Sequence, residues 1–294
     1  MRNAISNRPI STPSESVTLL HRPAKGKAAL ACWLAMPSNV ASDAQPLVAV
    51  HGIQRGAKQQ AELLAPQAAA LGRPVIAPLF DKHRWPRYQQ VVLGKRADLA
   101  LLELMTELRL AGIWRTQTFD LSGYSGGAQF SHRFAMLYPQ LVRRLTVSSA
   151  GWYTFPDAAA FPYGLAARPG RTEDWGPRLA AGMEEFLQRP IQVCVGAEDC
   201  VSDPNTRHGP EIDRQQGKDR VTRAERWVAA IRQAAAARGI SPQVTMTIMP
   251  DCGHDFRDCI QHGGLADLIL PPEEVSPDRP RSQHWESALL QPAG

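Results

Sequence analysis

Thr118-Phe119-Asp120-Leu121-Ser122-Gly123-Tyr124-Ser125-Gly126-Gly127-Ala128 is the stretch that decides how this chain folds. Thr118–Leu121 is a strand candidate that runs directly into Gly123-Tyr124-Ser125-Gly126-Gly127, a G-x-S-x-G pattern. Ala128–Tyr138 then has helical character and halts at Pro139. Glycines between a strand and a helix permit a sharp turn that holds the serine in strained geometry and lifts its hydroxyl clear of the sheet. Ser125 is therefore the expected nucleophile. The blander reading is a glycine-rich turn with an incidental serine.

Outward from the turn, short apolar runs alternate with helical patterns. Leu47–Val50 is a continuous apolar run ending at His51-Gly52, as a buried parallel strand would. Pro74–Phe80, Arg144–Ser149, Ile191–Val195 and Gln243–Met249 are further strand candidates. Ala97–Leu110 and Arg220–Arg238 have helical spacing and are followed by Gly112 and Gly239 as stops. Ahead of them, Ser16–Leu20 and Ala28–Met36 suggest an opening hairpin. Strands alternating with helices predict an α/β fold with a mostly parallel central sheet flanked by helices. Residues 152–189, rich in Pro, Gly and aromatics, interrupt the alternation after the strand at 144–149. The expected organisation is a polar arm over 1–14, one α/β domain over 15–270 with 152–189 as a lid or cap insertion, and a Pro-rich tail over 271–294.

A serine hydroxyl is a poor nucleophile at neutral pH and needs a base, which in turn needs an orienting acid. Of the histidines after Ser125, His254 alone sits just past the terminal strand on a Gly-containing loop, at the sheet edge where ligands bind. It is the expected general base, whereas His208 and His284 read as surface residues and His262 is left open. The acid belongs in the loop after Ile191–Val195, where Glu198, Asp199 and Asp203 qualify by position. Asp199 is the first choice and Asp203 the alternative. An oxyanion needs two backbone N–H groups. Gly126, next to the nucleophile, is one expected donor, and Ile53, with Gln54 as alternative, is the other. His51 reads as a structural loop residue.

These residues resemble the α/β-hydrolase superfamily: His51-Gly52, the turn around Ser125, Gly196-Ala197-Glu198-Asp199 and Gly253-His254 occur in its order across roughly residues 28–270. Within it, the chain is similar to esterases of the polyhydroxybutyrate-depolymerase-like or feruloyl-esterase-like branch. The resemblance implies a serine esterase acting on a small-molecule carboxylic ester, with no metal or organic cofactor. A thioesterase, acyltransferase or peptidase uses the same apparatus, and a non-catalytic hydrolase-like binding protein is the alternative from another class. Trp152 and Tyr153, with Tyr124, are the expected lining of the substrate pocket.

Composition removes other classes. The 294 residues carry 33 Lys plus Arg against 28 Asp plus Glu, a net charge of +5, yet the basic residues are scattered and form no run of the kind that binds nucleic acid. No segment approaches 18 consecutive apolar residues, so no membrane span is expected. No apolar stretch follows the first charged residues, so a cytoplasmic setting is expected. Five cysteines are too sparse for a disulfide scaffold. Cys200 adjoins the expected acid and Cys252 precedes the expected base by two residues, so a clamp between them, a local Cys252–Cys259 pair and free thiols are all open, the last favoured in a reducing compartment.

Overall fold

The structure, a computed structural model, describes residues 16–26, 29–41, 43–93, 95–168, 170, 174–201, 205–272 and 281–282. The arm expected over 1–14, Asp203, His284 and nearly all of the tail beyond 272 lie outside the described residues. The strands are β1 (Val17–Arg22), β2 (Ala31–Pro37), β3 (Val40–Ala41), β4 (Leu47–Val50), β5 (Val75–Leu79), β6 (Phe119–Tyr124), β7 (Val142–Ser148), β8 (Ile191–Gly196), β9 (Val244–Met249) and β10 (Arg281–Ser282). The helices are α1 (Ala57–Leu71), α2 (Ala97–Leu110), α3 (Gly126–Leu137), α4 (Trp175–Ala181), α5 (Met183–Leu187), α6 (Pro210–Gln216), α7 (Arg220–Ala236), α8 (Phe256–Gln261) and α9 (Leu265–Ile269).

Eight strands form one sheet in the order β1-β2-β5-β4-β6-β7-β8-β9. β1 and β2 are the opening hairpin, and β2 pairs antiparallel with β5; from β5 to β9 every neighbouring pair is parallel. β3 and β10 make a separate two-stranded pair. The reason for the continuous apolar runs is visible in β4, whose residues alternate between two cores. Val48 and Val50 enter the cluster that holds buried residues of α2, α3 and α7, while Leu47 and Ala49 enter the one that holds those of α1, α8 and α9. Full burial of each such Val or Leu stabilises by about 1.5–3 kcal/mol. A charge at either position would break one layer.

The turn stretch is more regular than its sequence suggests. β6 continues through Gly123 to Tyr124 instead of ending at Leu121, and α3 begins at Gly126, leaving a single residue between strand and helix. The segment between β7 and β8 contains α4 and α5, and its aromatics Tyr153, Phe155, Phe161, Trp175 and Phe186 join the cluster shared with α3 and α7.

Candidate active site

Ser125, the one residue between β6 and α3, has φ 55° and ψ −115°. A side-chain-bearing residue is strained there by about 1–3 kcal/mol and stays only when its surroundings fix it. Here close backbone packing supplies those surroundings. A Cβ on Gly123 would lie 2.3 Å from the Gly127 carbonyl oxygen, and one on Gly127 would lie 2.0 Å from that of Val50. The Ser125 N–H donates to the Ser148 carbonyl at 2.8 Å, tying the turn to β7. Glycine at 123 and 127 is thus demanded by close approach of backbone to backbone, which is why the pattern is legible.

The loops after β8 and β9 are fastened to each other. The Ala197 and Glu198 N–H groups donate to the Met249 and Cys252 carbonyls at 2.8 and 2.9 Å, and a Cβ on Gly196 would lie 2.1 Å from the Cys252 oxygen. Asp255 caps α8 by accepting from the Asp258 N–H at 3.0 Å, which locks the chain leaving His254. As a result His254 Nε2 lies 3.0 Å from Ser125 Oγ, and its Nδ1 lies 2.7 Å from Asp199 Oδ2. An Nδ1–H donating to the carboxylate leaves Nε2 as the acceptor for the serine proton. Asp199 is only 3% exposed, whereas Glu198 points to solvent. His208 instead faces Asp213 at 3.3 Å, and His262 is exposed at the end of α8.

Arg220, at the first position of α7, donates from Nη1 to the other oxygen of Asp199 at 2.9 Å, with both side chains sealed from solvent. The carboxylate is therefore held between a permanent cation and an imidazole. Nothing in the spacing singles out Arg220, which stands 21 residues after Asp199 on a helix. Asp219 caps that helix through the Thr222 N–H at 2.8 Å and so fixes where Arg220 starts.

The backbone of residues 51–54 passes over the start of α3. A Cβ on Gly126 would lie 3.4 Å from the Ile53 nitrogen, so the two expected donors are neighbours. The Gly126 N–H is in the first turn of α3, where no intrahelical acceptor exists and the helix end is positive. His51 is structural: Nδ1 donates to the Gly52 carbonyl at 2.8 Å and Nε2 accepts the Phe80 N–H at 3.0 Å. Complete burial pulls its pKa down to about 4, keeping it neutral. The Tyr88 hydroxyl, also unmarked in the sequence, donates to the His51 carbonyl at 2.5 Å and clamps the loop from behind.

Ser125 and His254 face a cavity of about 580 Å³ that Gly52, Ile53, Gln54, Tyr124, Asn205 and Phe256 also line. The Tyr124 ring stands 5.3 Å from those of His254 and Phe256. Trp152 and Tyr153 do not line this cavity. Tyr153 is fully buried, stacked on Trp227 at 4.8 Å, and Trp152 packs beneath Arg133, because the first residues after β7 turn inward to the core. The cysteines are all free thiols, with Cys200 exposed and Cys252 and Cys259 buried, so neither pairing near the site is formed. Among the described residues no group of three or more His, Cys, Asp or Glu side chains is placed to hold a metal, and no helix is long and apolar enough to cross a membrane.

Solved structures share this architecture. Poly(aspartic acid) hydrolase-1 from Sphingomonas sp. KT-1 superimposes with a TM-score of 0.70 at 24% identity, covering 87% of this chain and 98% of that one. A poly(3-hydroxybutyrate) depolymerase from Bordetella parapertussis gives 0.68 at 27% identity, covering 83% and 86%. The chain has the α/β-hydrolase fold. An S-formylglutathione hydrolase from Staphylococcus aureus, at 10% identity, also shares this fold, with a TM-score of 0.56 over 88% of this chain and 98% of that one. No protein-family model and no curated protein sequence matches the chain. These neighbours are hydrolases by name, and the depolymerase, at 27% identity, agrees with the branch that the sequence resembles.

Proposed function

We propose that the chain is a serine hydrolase that cleaves carboxylic esters through an acyl-enzyme. The observation that carries this reading is the unbroken relay from Ser125 Oγ to His254 at 3.0 Å and on to Asp199 at 2.7 Å, with the serine in a strained strand-to-helix turn. Ser125 Oγ attacks the ester carbonyl while His254 Nε2 takes its proton. Asp199 holds the imidazole in the tautomer that accepts, and stabilises the imidazolium. The backbone N–H groups of Ile53 and Gly126 take the charge that develops on the carbonyl oxygen. His254 returns the proton to the leaving alkoxide, then activates the water that releases the acid and regenerates Ser125. Tyr124 and Phe256 supply an apolar wall beside His254.

A fluorophosphonate probe tests this reading. We expect a single adduct at Ser125 in the wild-type protein, lost in Ser125→Ala and in His254→Ala. Folded wild-type protein that takes no label would overturn it and leave a hydrolase-like binding protein.

A further inference from the structure

A second cavity, of about 650 Å³, lies beside the insertion after β7 and carries an excess of arginine. Arg168, Arg207 and Arg214 line it, with Asp157 and Glu211 as the carboxylates. Asp157 is occupied: Oδ1 accepts the Ala159 N–H at 3.0 Å and Oδ2 accepts from Gln215 Nε2 at 2.8 Å. Glu211 is exposed. The guanidinium of Arg207 lies over the rings of Tyr163 and Trp152, at 5.2 and 5.6 Å from their centres, and meets no carboxylate among the described residues.

Behind it is an uncompensated buried charge. Arg133, on α3, is 1% exposed and lies 4.0 Å from the centre of the Trp152 ring. Its hydrogen bonds go to neutral acceptors, the Thr154 hydroxyl at 2.8 Å and the Gln89 and Gln129 carbonyls at 2.9 and 2.8 Å. Its Nη2 is buried without an acceptor among the described residues. Burial pulls its pKa down to about 9, and the charge of Arg207 acts in the same direction. Arg133 does not itself line the cavity, but a buried cation without a counter-ion is costly, and an anion held at Arg207, which shares the Trp152 ring with it, lowers that cost through space.

Neighbouring stretches of chain line the two cavities: Asn205 lines the one containing Ser125 and Arg207, two residues on, lines the second, so at most about 7 Å of chain separates these two residues. Arg133 stands eight residues beyond Ser125 along α3, roughly 12 Å of helix. We propose that this second cavity receives a carboxylate carried by the substrate at a distance from the ester that Ser125 attacks, with Arg207 as its main partner. The planar guanidinium fork suits a carboxylate, and stacking on two rings orients it before the ligand arrives. This inference rests on the serine-hydrolase reading and narrows its substrates to esters with a remote acidic group.

The test uses pairs of p-nitrophenyl esters of matched acyl length, one ending in a methyl group and one in a carboxylate, at low and high salt. At the best length we expect kcat/KM to favour the carboxylate-ended ester by about 10-fold, the size of one charge-assisted contact, and the preference to shrink with added NaCl. The Arg207→Gln, Arg214→Gln double variant, confirmed as folded by circular dichroism, should bring the ratio close to one, and Arg207→Lys should retain part of it. A wild-type ratio of one or less at every length, or a ratio unmoved in the double variant, would overturn the inference while leaving the hydrolase reading intact. If neither ester is turned over and Ser125 takes no fluorophosphonate, the hydrolase reading itself has failed. Calorimetric titration of Ser125→Ala with a free dicarboxylate then decides the cavity alone, an equal affinity in the arginine double variant counting against it.

Discussion

Asp120 and Asp199 are both sealed carboxylates held by arginine, and they stand at opposite ends of the parallel strands, Asp120 near the start of β6 and Asp199 past the end of β8. Asp120, 1% exposed near the start of β6, accepts from Arg73 at 2.6 Å and from Nε and Nη2 of Arg143 at 2.8 and 2.7 Å. Asp199, 3% exposed after β8, accepts from Arg220 at 2.9 Å and from His254 at 2.7 Å. The first spends its oxygens on permanent cations and so only fastens strands. The second spends one oxygen on a permanent cation, which fixes its position, and the other on the imidazole of His254. Exchanging one arginine for a histidine separates a staple from the acid of the proposed relay.

Substitution at the two sites should produce opposite signatures. Asp199→Asn disturbs the imidazole tautomer, and we expect kcat/KM to fall by about four orders of magnitude in protein with an unchanged circular dichroism spectrum. A loss under tenfold would break the comparison at its functional end. Asp120→Asn takes the counter-charge away from Arg73, itself 1% exposed, and should cost about 3–5 kcal/mol in urea unfolding. Folded Asp120→Asn should retain kcat/KM within about threefold, since five strand residues, roughly 16 Å, separate the position from Ser125.

The histidines sharpen the contrast at smaller magnitude. His51 has a folded pKa of about 4 against an ordinary value of 6.5, so between those values the unfolded chain binds the proton more tightly. Its contribution is complete above about pH 6.5 and is lost as pH falls towards 4, a change on the order of 3 kcal/mol. His132, buried with its pKa also lowered, by burial first and Arg133 second, adds in the same sense. Urea midpoints measured from pH 7.5 to 4.5 should fall steadily, and the fall should be shallower in His51→Gln. Equal slopes would mean that His51 is not the group responsible.

What the sequence could reveal follows from which contacts are local. Glycines 123 and 127 are forced by backbone approach, so they mark the turn at fixed offsets from Ser125. The strand runs are legible because burial on both faces leaves few polar positions: none in β4, and in β8 only Gln192, whose amide is hydrogen-bonded to β9. His254 and Asp199 are found because parallel strands deliver their following loops to one edge. Arg220 and Tyr88 are not found, since each reaches the site from an element whose own pattern says nothing of a partner far along the chain. Helix α1 carries Pro66 among alanines, which blurs its period. Trp152 and Tyr153 show the limit most plainly, because an aromatic pair after a strand has the same sequence whether it turns towards a ligand or towards Trp227.

The fastening of the β8 and β9 loops has a consequence for substitution. Ala197, Glu198, Met249 and Cys252 meet through main-chain groups, and the exclusions at Gly196 and Gly127 are likewise against main-chain oxygens. Main-chain contacts do not register which side chains replace one another. These loops should therefore tolerate exchange of the side chains along them, provided that the main-chain contacts stay intact, and Gly127 and Gly196 should refuse it, because any side chain there would meet a main-chain oxygen.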